Sequence, residues 1–143
     1  MKTRVILIWI LIVASHASHA QTLPSADEDC TSFFDSTLQR KIYMLADKIP
    51  EYPGGLDKLL SFFSENYIYP PTQVEFQGII HMTFIVEPDG TISNIDVSKR
   101  FYKDRLSPVE MESIRVFKLM SAFTAAECNG TTVPFKIIIP IRF

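Results

Sequence analysis

The chain has 143 residues, and its 14 Lys and Arg against 16 Asp and Glu give a formal charge of −2. A chain of this length forms one domain of ordinary size, which can bury a core without a metal ion or a disulfide. The excess of acidic residues argues against nucleic acid as a partner.

Residues 1–20 have the pattern of a secretory signal: Lys2 and Arg4 precede an apolar run at 5–14, and small residues follow up to Ala20. We expect cleavage after Ala20 and export to the periplasm. The apolar run is shorter than the roughly 20 residues of a membrane span, so a signal is favoured over an uncleaved anchor. The mature chain would hold 12 Lys and Arg against 16 Asp and Glu, a charge of −4.

Cys30 and Cys128 are the only cysteines, an even number in a chain bound for an oxidising compartment, which favours one disulfide. The bridge would join the N-terminal arm to the loop before the last strand. Two free or intermolecular thiols are the alternative. No metal or cofactor is predicted, since His81 is the only histidine after residue 20 and no CxxC motif is present.

The first half of the chain predicts an acidic lead-in at 21–41, a short edge strand at 42–46 and a turn rich in Pro and Gly at 50–55. Apolar residues recur at helical spacing from Leu56 to Phe63, which predicts a helix over about 56–66, before Pro70. Aromatic residues at 62, 63, 67 and 69 are interpreted as core packing and rim contacts in preference to a ligand patch.

The second half begins with a strand from residue 78, whose even positions 80–86 are predicted to face the core. EPDGT at 87–91 predicts a hairpin turn. The next strand, at about 91–98, changes the phase of its apolar positions, which indicates a bulge or a fray. Ser107, Pro108 and Glu110 form a capping box with proline at the first helical position, so a second helix begins there.

Residues 133–143 give the strongest strand pattern, with apolar side chains at the odd positions. Pro134 and Pro140 fall on the same hydrogen-bonding side and cannot donate, so even-numbered residues are predicted to direct their backbone groups away from the sheet. Lys136, Ile138 and Arg142 would then present free backbone groups to an extended peptide. The alternative is that these prolines and charges protect an edge from aggregation.

The order of elements predicts an α+β fold with two helices on one face of a small, mostly antiparallel sheet. A right-handed crossover gives the sheet order 2-1-3, counting the two hairpin strands and then the last strand, which lies at an edge.

Residues 42–143 resemble the TonB C-terminal domain family, particularly the form common in Bacteroidetes-like bacteria. The motifs that carry the resemblance are KIPEYPGG at 48–55, YP at 69–70, DGTIS at 89–93, ESIRV at 112–116 and VPFKIIIPIRF at 133–143. The resemblance implies a periplasmic domain that binds a short segment of outer-membrane transporters by β-augmentation at its last strand, and that conveys energy from an inner-membrane motor complex.

We therefore expect a stand-alone, non-enzymatic binding module whose partner is an outer-membrane TonB-dependent transporter or another envelope protein. Association with a membrane is expected only through partners or an uncleaved N-terminus. An anchored energy transducer that retains residues 5–20 is one alternative, and a secreted enzyme or inhibitor on the same fold is another. Catalysis is not predicted, because His81 lies mid-strand and the carboxylates of the domain occupy turn, strand and helix-start positions.

Overall fold

The computed structural model describes residues 30–71 and 76–143. The predicted signal and residues 21–29 of the predicted lead-in lie outside these ranges. The described chain is α+β, with two helices, a five-stranded sheet and a separate two-stranded sheet. Neither helix has the length and hydrophobicity that crossing a membrane requires.

Two strands precede each of the two helices, and three strands follow the second helix. The bounds are β1 Ser32–Asp35, β2 Arg40–Tyr43, α1 Gly55–Asn66, β3 Ile79–Val86, β4 Ile92–Val97, α2 Pro108–Phe117, β5 Ala126–Cys128, β6 Thr131–Val133 and β7 Phe135–Arg142. The large sheet has the order β1-β2-β7-β3-β4, and β5 pairs with β6. All pairs are antiparallel except β2 with β7.

The core lies between the helices and one face of β3 and β7. The even residues of β3, from Ile80 to Val86, are fully buried as predicted, because alternate residues of a strand face opposite sides of the sheet. They pack with Leu59 and Phe63 of α1 and with Phe117 of α2. The predicted bulge is present: the β3–β4 register shifts, and Asn94 takes a φ of 50°.

The start of α2 confirms the predicted capping box. The Ser107 hydroxyl accepts a hydrogen bond from the Glu110 N–H at 3.3 Å, and the Glu110 carboxylate accepts one from the Ser107 N–H at 2.6 Å. The Ser113 hydroxyl donates to the Val109 carbonyl at 2.8 Å, so this buried polar group is satisfied within the helix.

The predicted sheet order 2-1-3 is wrong for the sheet as a whole, because β1 and β2 extend it beyond β7. The last strand, β7, was predicted to be an edge strand and instead lies between β2 and β3. β1 lies in the predicted lead-in, where the Asp35 carboxylate accepts hydrogen bonds from the N–H groups of Thr37 and Leu38 and closes the turn. β2 overlaps the edge strand predicted at 42–46, but it starts at Arg40, ends at Tyr43 and lies between β1 and β7. The predicted strand at 133–143 is also divided. Val133 ends β6 and β7 begins after Pro134, which has no N–H to give to the ladder.

Candidate functional site

Among the described strands, the outer side of β7, facing away from β3, is paired only at its start. β2 meets it at one position, Tyr43 opposite Phe135, where the Tyr43 N–H donates to the Pro134 carbonyl at 2.9 Å. Among residues 30–71 and 76–143, no other strand pairs with this side of β7. Residues 137–142 therefore form an open edge.

The backbone groups of β7 alternate between β3 and this open edge. In an antiparallel ladder each residue directs both its N–H and its C=O to the same side, and the side changes with every residue. The Pro134 carbonyl faces β2, and the Phe143 N–H donates to the Gly78 carbonyl at 3.0 Å on the β3 side. Ile138 and Arg142 therefore direct their backbone groups outward, in agreement with the proline spacing.

The structure places the three predicted binding residues along one line. Their side chains lie on the sheet face opposite the helices, beside those of the odd-numbered β3 residues with which they pair. Ile138 is 55% exposed, and Arg142 is also exposed. Lys136 is half-buried beside β1, with its Nζ 5.7 Å from the centroid of the Phe33 ring, and the parallel contact directs its N–H toward β2. Ile138 and Arg142 thus belong to the open edge, and Lys136 lies where β2 ends it.

Two apolar cavities lie between α1 and the open edge. One of about 250 Å³ is bordered by Leu56 and Leu59 of α1 and by Ile137 and Ile139 of β7. The other, of about 450 Å³, lies further along β7. Its lining is Leu60, Phe63, Ser64, Tyr67, Pro140, Ile141, Arg142 and Phe143. We call the two cavities together the β7–α1 groove.

Tyr67, just beyond the end of α1, borders the larger cavity. Its ring centroid lies 5.2 Å from that of Phe63 and 5.0 Å from that of Phe143. Burial, followed by the nearby Tyr69 and Glu112, raises the pKa of Tyr67 to about 12. The hydroxyl is shielded from solvent and finds no hydrogen-bond partner within the described ranges. Within the described ranges it is therefore a neutral donor without an acceptor, at the end of the groove.

The N-terminal hairpin, formed by β1 and β2, is held by two strong contacts. The predicted disulfide between Cys30 and Cys128 is confirmed, with the two Cα atoms 6.0 Å apart. The Arg40 guanidinium donates to both carboxylate oxygens of Glu87, at 2.7 and 2.6 Å. This bidentate pair, together with the Ser93 hydroxyl, lowers the pKa of the Glu87 carboxyl. The hairpin fixes the point at which the open edge of β7 begins.

His81, the group of Cys30, Asp47 and Cys128, and Asp89 carry side chains that can act in catalysis or bind metal ions, and they lie in a strand, at the disulfide and in a turn. His81 is half-buried opposite Pro140. Cys30, Asp47 and Cys128 bring their ligand atoms within 4.8 Å of one another, but the disulfide uses both thiols. The Asp89 carboxylate accepts hydrogen bonds from the Thr91 N–H and hydroxyl, which stabilises the β3–β4 turn.

The wall of the groove was not predicted from the sequence. The aromatic residues near the end of α1 were predicted to serve core packing and rim contacts, and two of them, Phe63 and Tyr67, line the larger cavity. The sequence of α1 itself contains a pattern that indicates this groove. Leu56 is 58% exposed and Leu60 is 39% exposed, so the apolar face of the helix is wider than its contact with the core.

Comparisons of the chain with protein-family models, with curated proteins and with solved structures find no match. The resemblance to the TonB C-terminal domain family accordingly stays a prediction from the sequence motifs. The open edge and the β7–α1 groove are the features from which a function can be argued.

Proposed function

We propose that the chain is a periplasmic protein-binding module of the TonB type, which binds an extended segment of an envelope or outer-membrane transport protein. The segment adds to β7 as a further strand. The observation that carries this proposal is the open edge at residues 137–142, where Ile138 and Arg142 direct backbone groups outward beside an apolar groove.

The hydrogen bonds available at this edge follow from its sequence. Ile138 and Arg142 each offer an N–H and a carbonyl, whereas Pro140 offers a carbonyl alone. An added strand lies about 4.8 Å from β7, which brings one row of its side chains over the groove. Main-chain hydrogen bonds then supply affinity, and the two cavities select apolar side chains on that row.

Apolar exposure beside the edge favours binding over simple protection of an edge. A protected edge carries charges, prolines or a covering loop and gains nothing from exposed apolar neighbours. Here Ile49 is 64% exposed, Leu56 58% and Ile138 55%, and the first two line the smaller cavity. An incoming strand would cover this apolar surface, and exposed apolar patches of this kind are typical of binding sites.

Site-specific photo-cross-linking in the native envelope tests the proposal. A benzophenone side chain at Ile138 is expected to form an adduct with one envelope protein, and mass spectrometry should map the adduct to an extended segment. Met111, 52% exposed on α2, is the matched control position. Equal adducts from both positions, or an adduct from Ile138 to the interior of a folded domain, would argue against strand addition.

Export is the second part of the proposal, and it has its own test. The signal-like residues 1–20 support it. Mass spectrometry of the chain isolated from the envelope is expected to find Gln21 at the N-terminus. A chain that retains residues 5–20 would instead favour the anchored transducer.

A further inference from the structure

A second surface lies at the end of the sheet where β4 and β7 end and β3 begins. Residues 98–106, SKRFYKDRL, connect β4 to α2 and contain four Lys and Arg against one Asp, in a chain whose overall charge is −2. Residues 98–105 are all exposed. This loop is therefore a local concentration of positive charge on an acidic protein.

Aromatic and aliphatic side chains are exposed next to these charges. Phe101 is 45% exposed and Tyr102 46%, and the Phe101 ring lies 4.8 Å from that of Phe76. Tyr69, 40% exposed, accepts a hydrogen bond at its hydroxyl from the Phe76 N–H, and Ile68 beside it is 69% exposed. The apolar surface thus continues from the loop to the segment after α1.

The loop has a defined conformation. The buried Glu110 carboxylate accepts hydrogen bonds from the Phe101 N–H at 3.0 Å and from the Ser107 N–H at 2.6 Å, so one side chain fixes both halves of the loop. The Arg105 guanidinium lies 4.9 Å from the centroid of the Tyr102 ring. Phe101 and Tyr102 are consequently held at the surface beside cationic side chains.

Three of the four cationic side chains on this loop have no ion-pair partner within residues 30–71 and 76–143. Arg100 pairs with Asp96 at 2.7 Å. Lys99, Lys103 and Arg105 form no ion pair with any other residue in the described ranges. An anionic surface that approaches this loop therefore meets three exposed cationic side chains.

We propose that this basic-aromatic surface, defined by Ile68, Tyr69, Lys99, Phe101, Tyr102, Lys103 and Arg105, docks the domain on an anionic phospholipid membrane. Aromatic rings enter the interface between headgroups and acyl chains, and long cationic side chains reach the phosphates around them. Phe101 and Tyr102 supply the exposed rings, and the lysine and arginine residues on either side of them supply the cations. This inference does not depend on the proposed function.

The location of the surface connects it with the groove. Phe76 packs against Phe101, and its ring centroid lies 5.8 Å from that of Phe143. Phe143 in turn lines the larger cavity. The same end of the molecule therefore holds the basic-aromatic surface and one end of the β7–α1 groove. A domain docked in this way would present that groove close to the membrane surface.

A single tryptophan in the loop tests the docking directly. The chain has one tryptophan, Trp9, so the full-length variant Trp9→Phe/Phe101→Trp reports on position 101 alone. Its emission is expected to shift to shorter wavelength with vesicles of phosphatidylcholine and phosphatidylglycerol, and to be quenched by brominated acyl chains. Pure phosphatidylcholine vesicles are expected to cause neither change, and high salt should reverse both.

Charge reversal in the same tryptophan background identifies the cationic residues. Lys99→Glu/Lys103→Glu/Arg105→Glu is expected to lower the partition onto phosphatidylglycerol vesicles by about a hundredfold, since each residue near an anionic surface contributes to binding. The matched control, Lys41→Glu/Lys58→Glu/Lys118→Glu, makes the same change in net charge at other exposed positions and is expected to retain most of the binding. Circular dichroism checks that both variants fold.

Three results would overturn the docking proposal. The first is no emission shift with phosphatidylglycerol vesicles. The second is an equal loss of binding in the two charge-reversal variants, which would indicate a general charge effect. The third is binding to polyglutamate without binding to vesicles, which would assign the loop to an acidic protein.

Discussion

Replacing both cysteines tests how much the disulfide between the N-terminal arm and β5 contributes to stability. The bridge joins two residues 98 positions apart. Closing a loop of this size lowers the entropy of the unfolded chain by an amount equivalent to about 4–5 kcal/mol at 25 °C. Because a domain typically has about 5–15 kcal/mol of stability, Cys30→Ala/Cys128→Ala is expected to lose a large share of it.

Urea unfolding followed by circular dichroism measures this loss. The free energy of unfolding is expected to fall by about 4 kcal/mol, with wild type and variant both unfolding in a two-state transition. Mass spectrometry of the wild type under non-reducing conditions is the necessary control, because it establishes that the bridge is closed. A decrease below about 1 kcal/mol, with the bridge closed in the wild type, would refute the loop-closure reasoning.

Hydrogen exchange separates local from global effects of the same change. Without the bridge, the hairpin keeps the Arg40–Glu87 pair, the bond from the Tyr43 N–H to the Pro134 carbonyl and the buried Ile42 side chain. Contacts near the surface open before a buried ladder does. The Tyr43 amide is therefore expected to exchange faster in the variant, while that of Met82 in β3 keeps its protection relative to global unfolding.

Three further changes test individual contacts. Gly90→Ala is expected to destabilise the domain by about 3 kcal/mol in thermal unfolding, because Gly90 has a φ of 85° and an added Cβ would overlap the Phe123 carbonyl oxygen; an unchanged Tm would contradict this. Arg40 lowers the pKa of Glu87, so their ion pair stabilises the fold above the ordinary carboxyl value of 4.5 and ceases to do so as the pH falls through the lowered pKa. Glu87→Gln is therefore expected to be less stable than the wild type by about 1 kcal/mol at neutral pH and by almost nothing in acid, and a difference independent of pH would count against the assignment. The pKa of Tyr67 rises from 10.0 to about 12, so the wild type should lose stability as the pH rises through that interval. Tyr67→Phe should show a smaller alkaline loss in urea unfolding, and identical pH profiles would exclude Tyr67 as its source.

The sequence predicts those parts of the fold that short-range chemistry determines. The alternation at 80–86 reflects the pleat of one strand, and the capping box at Ser107 and Glu110 spans one helical turn. The outward direction of the Ile138 backbone groups follows from proline's missing N–H within a single strand. Each of these features depends on residues only a few positions apart.

The parts that were missed depend on residues far apart in the chain. The Arg40–Glu87 pair spans 47 positions, and its members carry no local sign that they meet. The β7–α1 groove likewise exists only because Leu60 of α1 and Ile141 of β7 face each other in the folded chain. The turn at Asp35 was a local signal for the β1–β2 hairpin, but the parallel contact of β2 with β7 was not encoded near it.

The most direct test of strand addition compares Ile138→Pro with Ile138→Ala. Both changes remove the isoleucine side chain, and only proline also removes the outward N–H. A synthetic peptide spanning the segment cross-linked at Ile138 supplies the ligand, and calorimetry supplies the affinity. We predict that Ile138→Pro binds roughly 3- to 10-fold more weakly than Ile138→Ala, the effect of one main-chain hydrogen bond. Equal affinities of the two folded variants would contradict the claim that a partner strand pairs with the outer edge of β7.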